Sequence, residues 1–256
     1  MRGLAVVPAY NEAPTVARVV AGVRAAAPDL DVLVVDDGSR DDTAAVARAA
    51  GARVVSHVVN LGYGAALQTG YKRAERDGYD FVVQLDADGQ HDPADVPRLV
   101  RPLATAAADV VIGSRFVEAT DYRMGPARTA GRVFFRRVLA ACGGPRIADP
   151  TSGFQALARP AFRLCCADFY PVDFPDIDVL LLLHRHALRI VEVPVRMRPS
   201  AAGRNAMHGG LRDVYYIYKM LLSTFRSRLG PAMNPPPDPF PASRGASKEM
   251  RRDPSA

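Results

Sequence analysis

Short apolar runs alternate with amphipathic stretches along the first half of the chain. Five runs are almost continuously apolar, which is typical of strands that are buried on both faces. They span residues 3–7, 31–36, 52–57, 79–86 and 109–115. Helical patterns fill the intervals between them. This alternation predicts an α/β fold, in which a mostly parallel sheet is covered by helices on both faces.

Local start signals place three of the helices. Asn11 with Pro14 three residues later predicts a helix that Asn11 caps, since a proline is tolerated in the first turn. Ser39 and Asp42 stand three residues apart, as in a capping box. Asp92, which precedes a proline, predicts a third start by an N-cap and a first-turn proline.

The pattern is looser beyond residue 116. Helices are predicted over 128–141 and 174–187, and strands over 154–158 and 188–197. Three units result, namely a catalytic-type domain over 1–210, an amphipathic basic helix over 211–229 and a disordered tail over 230–256. The tail prediction rests on seven prolines with little apolar material beyond Phe240.

The charge distribution suggests an anionic partner for the later part of the chain. The formal net charge is +6, and the basic excess is concentrated in residues 185–228, where Glu192 and Asp213 are the acids. In the amphipathic segment, Arg212, Lys219 and Arg226 fall seven apart on one stripe. Such a helix suits an anionic membrane surface, although packing on the domain or in a dimer explains it as well.

Composition narrows the cellular setting. Three cysteines make no disulfide framework, which favours a reducing cytoplasm. No run approaches the roughly 18–20 apolar residues that a spanning helix needs, and polar residues from Asn11 onwards come too early for a signal peptide. We therefore expect a cytoplasmic protein, peripheral on the inner face of the cell membrane. The tyrosines at 215, 216 and 218 suit packing or a membrane edge, and no nucleic-acid partner is expected.

Polar residues follow the ends of four predicted strands. Because the carboxyl ends of parallel strands lie at one edge of a sheet, these residues should form one rim rich in carboxylates. A single acidic strand end is as easily a helix cap, but four together indicate a ligand site. The four groups are Pro8 to Glu12, Asp36 to Ser39, Asp86 to Gln90, and Gly113 to Arg115.

Asp86 and Asp88 are the strongest candidates for metal ligands. They stand two apart at a strand end, so both point to the same side, with Cα atoms roughly 6–7 Å apart. Mg²⁺ and Mn²⁺ accept a few carboxylate oxygens and take phosphate oxygens as the remainder. Gly89 lets the backbone come close, and Gln90 or His91 could complete the shell. Taken alone, the pair is also compatible with a polar turn.

Six ordered motifs resemble the family 2 glycosyltransferases, most closely the dolichol- and polyprenol-phosphate sugar synthases. They cover about residues 3–200 and read VVPAYNEA, VVDDGSRDDT, NLGYGAALQTGYKRA, QLDADGQHDP, GSRF and DPTSGFQA. The resemblance implies a GT-A fold with a Rossmann-like sheet, a GDP- or UDP-linked sugar donor and a polyprenyl phosphate acceptor. It further implies Mg²⁺ or Mn²⁺ and inversion at the anomeric carbon.

The same resemblance assigns roles to individual residues. Donor contacts fall on Pro8, Tyr10, Glu12, Asp36, Asp37, Gly62, Asp86 and Ala87, with Asp36 or Asp37 at the base. The metal ligands would be Asp86, Asp88 and Gln90, of which Asp88 is also catalytic. The acceptor would meet Arg115, Ser152 and Arg204, and Arg115 would also act near the diphosphate.

The nature of the acceptor decides whether a general base is needed. A lipid phosphate is largely ionised at pH 7 and needs none, whereas a hydroxyl acceptor does. Asp176 and Asp178 are the candidate bases, and both could instead cap the helix that they begin. Related sequences often carry serines where Asn205 and Ala206 stand, which leaves the acceptor open.

Three functional classes follow from these observations. The favoured one is a metal-dependent inverting glycosyltransferase that acts on a polyprenyl phosphate or, as an alternative, on a non-lipid hydroxyl. A nucleotidyltransferase usually has a glycine-rich phosphate loop after its first strand, and VVPAYNEA has no glycine. A non-catalytic nucleotide-sugar-binding scaffold is the third class, although the intact Asp86 and Asp88 argue against it.

Overall fold

The computed structural model describes residues 1–118, 126–173, 175–198 and 218–225, without the side chains of 126–128. Arg204, Asn205 and Ala206, together with the predicted tail over 230–256, lie outside these residues. Of the predicted amphipathic helix over 211–229, the described part is residues 218–225, and it is helical.

Strands and helices alternate as the sequence predicts. Within the described residues the strands are β1 (Gly3–Ala9), β2 (Leu30–Asp36), β3 (Arg53–Ser56), β4 (Phe81–Gln84), β5 (Val110–Ser114), β6 (Gln155–Ala158) and β7 (Ile190–Pro194). The helices are α1 (Val16–Ala26), α2 (Thr43–Ala49), α3 (Tyr63–Arg76), α4 (Val96–Ala104), α5 (Pro126–Ala141), α6 (Arg159–Cys165) and α7 (Ile177–Arg185). A short 3₁₀ helix, Pro93–Asp95, precedes α4.

The strands form one sheet in the order β3-β2-β1-β4-β6-β5-β7. β6 is antiparallel to β4 and to β5, and the other neighbours are parallel. The chain leaves β1 towards β2 and β3 on one side and returns to β4 on the other. The carboxyl ends of β1 and β4 thus flank a switch point, where open α/β sheets bind their ligands.

The core lies on both faces of this sheet, as the unbroken apolar runs predict. All seven residues of β1 are buried. Leu4 and Val6 pack with α3, α6 and α7 on one face, whereas Ala5 and Val7 pack with α1 and α4 on the other. This alternation follows from the period of two along a strand. The buried layers on both sides hold the strand ends at fixed positions.

Two of the predicted helix starts are wrong. Asn11 has a φ of 56° and precedes a turn, and α1 begins only at Val16. The Asn11 side chain instead accepts a hydrogen bond from the Arg40 amide at 2.8 Å. Ser39 likewise forms no capping box, because its hydroxyl accepts a bond from the Asn11 amide at 2.9 Å. These polar side chains connect the loops after β1 and β2.

The third predicted start is confirmed. The Asp92 side chain accepts a hydrogen bond from the Ala94 amide at 3.2 Å and caps the 3₁₀ helix, with Pro93 in its first turn. Among the described ranges, no helix is long and apolar enough to cross a bilayer.

Candidate active site

The loop after β4 places the Asp86 carboxylate between two aromatic side chains. The Tyr63 hydroxyl donates to Asp86 Oδ1 at 2.8 Å, and the Asp86 amide donates to His91 Nδ1 at 3.0 Å. His91 is buried and stacks on Phe154, with ring centroids 5.0 Å apart. Since Nδ1 of His91 accepts this bond, that ring nitrogen holds the loop after β4.

Asp88 is held by the residue two positions later. Its Oδ1 accepts from the Gln90 amide at 2.8 Å, and its Oδ2 accepts from the Gln90 side chain. In this arrangement, Gln90 orients Asp88. Ala87 between the two acids is buried, whereas both carboxylates are half-buried at the surface of the rim.

The surroundings of the Asp86 carboxylate favour its protonated form. Burial raises the pKa of Asp86, and the nearby Asp88 charge raises it further, while His91, Tyr63 and Arg115 act in the opposite direction. A divalent cation between the acids would offset both causes of the rise. Within the described residues, no three His, Cys, Asp or Glu side chains cluster as a metal site. The donor set therefore suits Mg²⁺ or Mn²⁺ shared with a phosphate ligand.

Asp37, one of the two candidate base contacts, is already fully engaged. It accepts bonds from His57 Nδ1 at 2.7 Å and from the amides of Leu61 and Gly62, both at 2.9 Å. Its carboxylate thereby ties the strand end of β2 to the start of α3. Asp36 accepts one amide bond, from Ser39 at 3.2 Å, and is the freer of the two acids.

The loop after β1 supplies the other predicted donor contacts. Pro8 is buried in the strand, and the Tyr10 ring is exposed at the rim. Glu12 accepts a bond from the Thr15 hydroxyl at 2.7 Å, and its amide donates to the Thr43 hydroxyl at 2.8 Å. Tyr10 is therefore the exposed aromatic group of this loop.

Arg115 is held by a buried carboxylate that sequence reasoning missed. Its Nε and Nη2 donate to the two oxygens of Asp149, each at 2.6 Å, and Asp149 is fully buried. Glu192 on β7 accepts from the amides of Ala148 and Asp149 at 2.7 and 2.9 Å. The DPTSG motif contains Asp149, so its acid was visible, but its partner is 34 residues away in the sequence.

A second cation, Arg132 on α5, also escaped the sequence analysis. Its guanidinium lies 4.0 Å from the centre of the Phe116 ring, and Nη1 donates to the Ala148 carbonyl at 3.1 Å. Its Nε is buried and has no hydrogen-bond partner among the described residues. A buried N–H without a partner is costly, and an anion at this place would satisfy it. No motif marks Arg132, since only the fold brings α5 beside Phe116.

The structure separates the two candidate bases. Asp178 is 1% exposed, accepts from the amide of Val179 at 2.8 Å, and accepts from the hydroxyl of Ser223. Burial raises its pKa. Asp176 is half-buried and lies close enough to Tyr63 for its charge to help raise the pKa of that hydroxyl, after burial and Asp86. Of the two, Asp176 is the acid that is not buried and whose charge acts on Tyr63, the hydrogen-bond donor to Asp86.

Ser152 is placed below the rim. It is buried, and its hydroxyl donates to the Gly113 carbonyl at 2.6 Å. This bond fixes the strand end that carries Arg115. The structure thus brings together Tyr10, Asp36, Asp86, Asp88 and Arg115 at the carboxyl edge, while Ser152, Asp37 and Asp178 serve internal contacts.

Comparison with known proteins identifies the class. The model of the protein family described as "Glycosyl transferase family 2" matches residues 4–164 of this chain. An undecaprenyl-phosphate mannosyltransferase of Micrococcus luteus is 33% identical over 82% of this chain and 89% of its own. A polyprenol monophosphomannose synthase of Mycolicibacterium smegmatis is 32% identical over 81% of this chain and 82% of its own.

A solved structure supports the same assignment. Glucosyl-3-phosphoglycerate synthase from Mycobacterium tuberculosis, in complex with Mn²⁺, UDP and phosphoglyceric acid, is 27% identical. It superposes with a TM-score of 0.68 over 89% of this chain and 78% of the other. The sheet, its switch point and the carboxylate pair define a glycosyltransferase with the GT-A fold. The chain belongs to glycosyltransferase family 2.

Proposed function

We propose that this glycosyltransferase moves a sugar from a nucleotide-sugar to a polyprenyl phosphate, with inversion at the anomeric carbon. The observation that carries the proposal is the rim on which the Asp86 and Asp88 carboxylates lie near Arg115, whose charge acts on Asp86, while Arg132 packs on the neighbouring Phe116. The carboxylates suit a metal-bound diphosphate, and the arginines suit an acceptor anion. The names of the two relatives support the lipid phosphate as acceptor.

The donor would lie along the carboxyl ends of β1, β2 and β4. Tyr10 is exposed there to cover the nucleotide, and Asp36 is the acid with the capacity to accept a base N–H. Asp86 and Asp88 would hold Mg²⁺ or Mn²⁺, which neutralises charge on the departing nucleoside diphosphate. The M. tuberculosis structure with Mn²⁺ and UDP supports this placement by analogy.

The chain's own cations would hold the acceptor. Arg115 keeps a fixed orientation through its two bonds to Asp149, and Arg132 offers a buried Nε donor that has no partner within the described part of the chain. A phosphate monoester placed there can attack without a general base, because it is already ionised at neutral pH. The protein then has to orient the acceptor behind the sugar ring and exclude water.

A hydroxyl acceptor is a second candidate, supported by one observation. The M. tuberculosis structure contains phosphoglyceric acid, which carries a hydroxyl group. Asp176 would be the base for such an acceptor, because it is half-buried and its charge acts on Tyr63, whereas Asp178 is buried. Family membership leaves no room for the non-catalytic scaffold as the primary function.

A membrane-peripheral location at the cytoplasmic face would fit the lipid acceptor. Tyr218, Leu222 and Phe225 are about 60% exposed on one side of the helix over 218–225, at 62%, 58% and 59%. The opposite side is anchored, because Met220 and Thr224 are buried and Lys219 bonds to Asp173 at 2.6 Å. An anchored helix with an outward apolar face suits a bilayer surface.

One experiment tests the whole proposal. Purified protein with Mn²⁺ is given labelled GDP-mannose or UDP-glucose, and either undecaprenyl phosphate or 3-phosphoglycerate. We expect sugar transfer from one donor to the lipid phosphate, loss of transfer in EDTA and loss in Asp88→Ala. Transfer to phosphoglycerate alone would select the hydroxyl acceptor, and transfer that ignores both EDTA and Asp88 would overturn the metal site.

A further inference from the structure

Tyr63 makes a hydrogen bond that connects α3 to the candidate metal site. Its hydroxyl donates to Asp86 Oδ1 at 2.8 Å. Among the described residues, Tyr63 is the only one whose side chain donates a hydrogen bond to the Asp86 carboxylate. His91 Nδ1 stands 3.7 Å from Oδ2 and already accepts the Asp86 amide. The orientation of the carboxylate therefore depends on Tyr63.

The chain holds Tyr63 firmly at this position. Asp37 binds the amides of Leu61 and Gly62, so the residues that lead into α3 are fixed. On the other side, the Ala65 amide donates to the Val172 carbonyl at 3.0 Å. A side chain at Gly64 would come within 2.0 Å of the Pro171 carbonyl, which shows how closely α3 approaches that segment.

Gly153 leaves the space in which the two groups meet. A Cβ at this position would lie 3.0 Å from the Tyr63 hydroxyl and 3.4 Å from Asp86 Oδ2. Its backbone φ lies outside the left-handed region, so alanine is conformationally allowed there. The lack of a side chain at Gly153 therefore leaves room for the Tyr63 hydroxyl and the Asp86 carboxylate, and the backbone conformation does not require it.

We propose that Tyr63 is a positioning residue for the metal, because its hydroxyl engages Oδ1 of Asp86 and would leave Oδ2 available as a ligand. The proposal deepens the proposed function and rests on the metal that Asp86 and Asp88 would hold. Groups that orient a metal ligand typically change metal affinity or activity by 10- to 100-fold when they are removed. Gly153 belongs to the same arrangement because it keeps the site of the bond open.

The direct test compares Mn²⁺ binding of the wild type and Tyr63→Phe. Free Mn²⁺ is followed by electron paramagnetic resonance, first with the metal alone and then with GDP or UDP present. We expect Mn²⁺ affinity to fall about tenfold or more, while nucleotide binding in EDTA stays unchanged. The phenylalanine keeps the ring and removes only the hydroxyl.

Tyr79→Phe is the matched control. Tyr79 also donates its hydroxyl to an aspartate, Asp31, at 2.5 Å, but it does so at the opposite end of the sheet. The Tyr79→Phe variant should have a lower free energy of unfolding in EDTA and an unchanged Mn²⁺ affinity. Equal loss of Mn²⁺ affinity in both variants would show a general structural effect and would overturn the proposal.

Gly153→Ala supplies an independent variant. Its methyl group crowds the Tyr63 hydroxyl, so Mn²⁺ affinity should fall in the wild-type background. In the Tyr63→Phe background the hydroxyl is absent, so the same alanine should lower the Mn²⁺ affinity only slightly further. Additive losses in the double variant would contradict a shared mechanism through the hydroxyl.

The outcomes separate this proposal from the proposed function. Should the wild type fail to bind Mn²⁺ under any of these conditions, the metal-dependent function itself is wrong. Should the wild type bind Mn²⁺ and Tyr63→Phe bind it equally well, the positioning role alone is wrong.

Discussion

Ser223, on the helix over 218–225, donates its hydroxyl to the buried carboxylate of Asp178 on α7. Together with the ion pair of Lys219 and Asp173 at 2.6 Å, this bond attaches the helix to the domain. Asp178 thus acts as an anchor for the later part of the chain. An acid in this position contributes to stability in a way that depends on pH.

Asp178→Asn should change the pH dependence of stability in a defined direction. Burial raises the pKa of Asp178 above its ordinary value of 3.8, so the folded state favours the protonated form. Its contribution is fully present below 3.8 and is lost as the pH rises through the raised pKa. The free energy of unfolding of the wild type, relative to the asparagine variant, should therefore fall as the pH rises from 3.8 through the raised pKa.

Urea denaturation over that range measures the effect, and Asp31→Asn, measured as the pH falls below 3.8, is a control with the opposite sign. The hydrogen bond from Tyr79 lowers the pKa of Asp31, with Arg2 contributing further. The contribution of Asp31 is thus present above the ordinary pKa and lost as the pH falls through the lowered one. A pH-independent difference for Asp178→Asn would mean that its carboxyl does not titrate with folding.

Asp176→Asn should distinguish the two classes of acceptor. With a hydroxyl acceptor, loss of a general base lowers kcat by about 10²- to 10⁴-fold. With a polyprenyl phosphate, we expect little change, since the acceptor is already ionised. Steady-state kinetics with both acceptors provide the comparison, and Asp178→Asn serves as the control because Asp178 is buried. A large loss of kcat with the lipid phosphate would assign Asp176 a role other than proton removal.

The apolar runs were sufficient to predict the layers of the fold. β1 and the part of β2 that follows Asp31 are almost continuously apolar because both of their faces are covered, so their positions could be read from the chain. The antiparallel direction of β6 could not be predicted in this way, because burial constrains which side chains face the core and not the direction of the strand. α6, at Arg159–Cys165, was also missed, since seven residues give too short a pattern.

The candidate site shows the same division. Asp86 and Asp88 were visible because they stand two residues apart and follow a strand. The roles of Asp149 and Arg132 could not be read from the sequence, because they depend on contacts that only the fold creates. Asn11 and Ser39 were predicted to cap helices, and instead they bond across two loops. Local sequence rules fail where a distant backbone group is the better partner.

The pair of Arg115 and Asp149 should show strong coupling in a double-mutant cycle. Arg115→Met leaves a fully buried carboxylate without its cation, which typically costs about 3–5 kcal/mol of unfolding free energy. The double variant Arg115→Met with Asp149→Asn should cost much less than the sum of the single changes. Urea denaturation of the four proteins gives the coupling, and purely additive costs would show that the two bonds at 2.6 Å contribute little.

The same pair predicts an effect on activity. Arg115→Lys keeps the charge but cannot donate two parallel bonds to a carboxylate. We expect a raised KM for the acceptor and a smaller loss of unfolding free energy than in Arg115→Met. Acceptor kinetics at saturating donor test this expectation. An unchanged KM would remove Arg115 from the acceptor site and leave it a structural role with Asp149.

Binding to membranes should depend on the outward face of the helix over 218–225. Leu222 and Phe225 are more than half exposed, so serine at both positions should leave the anchored side of the helix intact. Burying a side chain of this kind fully gains about 1.5–3 kcal/mol. Partial insertion of both should therefore change partitioning by about tenfold or more.

Co-sedimentation with vesicles of phosphatidylcholine and phosphatidylglycerol measures the partitioning, and Val58→Ser is the matched control. Val58 is fully exposed and belongs to a different segment, the turn after β3. Reduced binding of the helix variant alone would support the bilayer as its partner. If the wild type does not bind the vesicles, or if the helix variant binds them equally well, the apolar face serves a contact other than the bilayer. The lipid acceptor would then have to be delivered to the rim by a different surface.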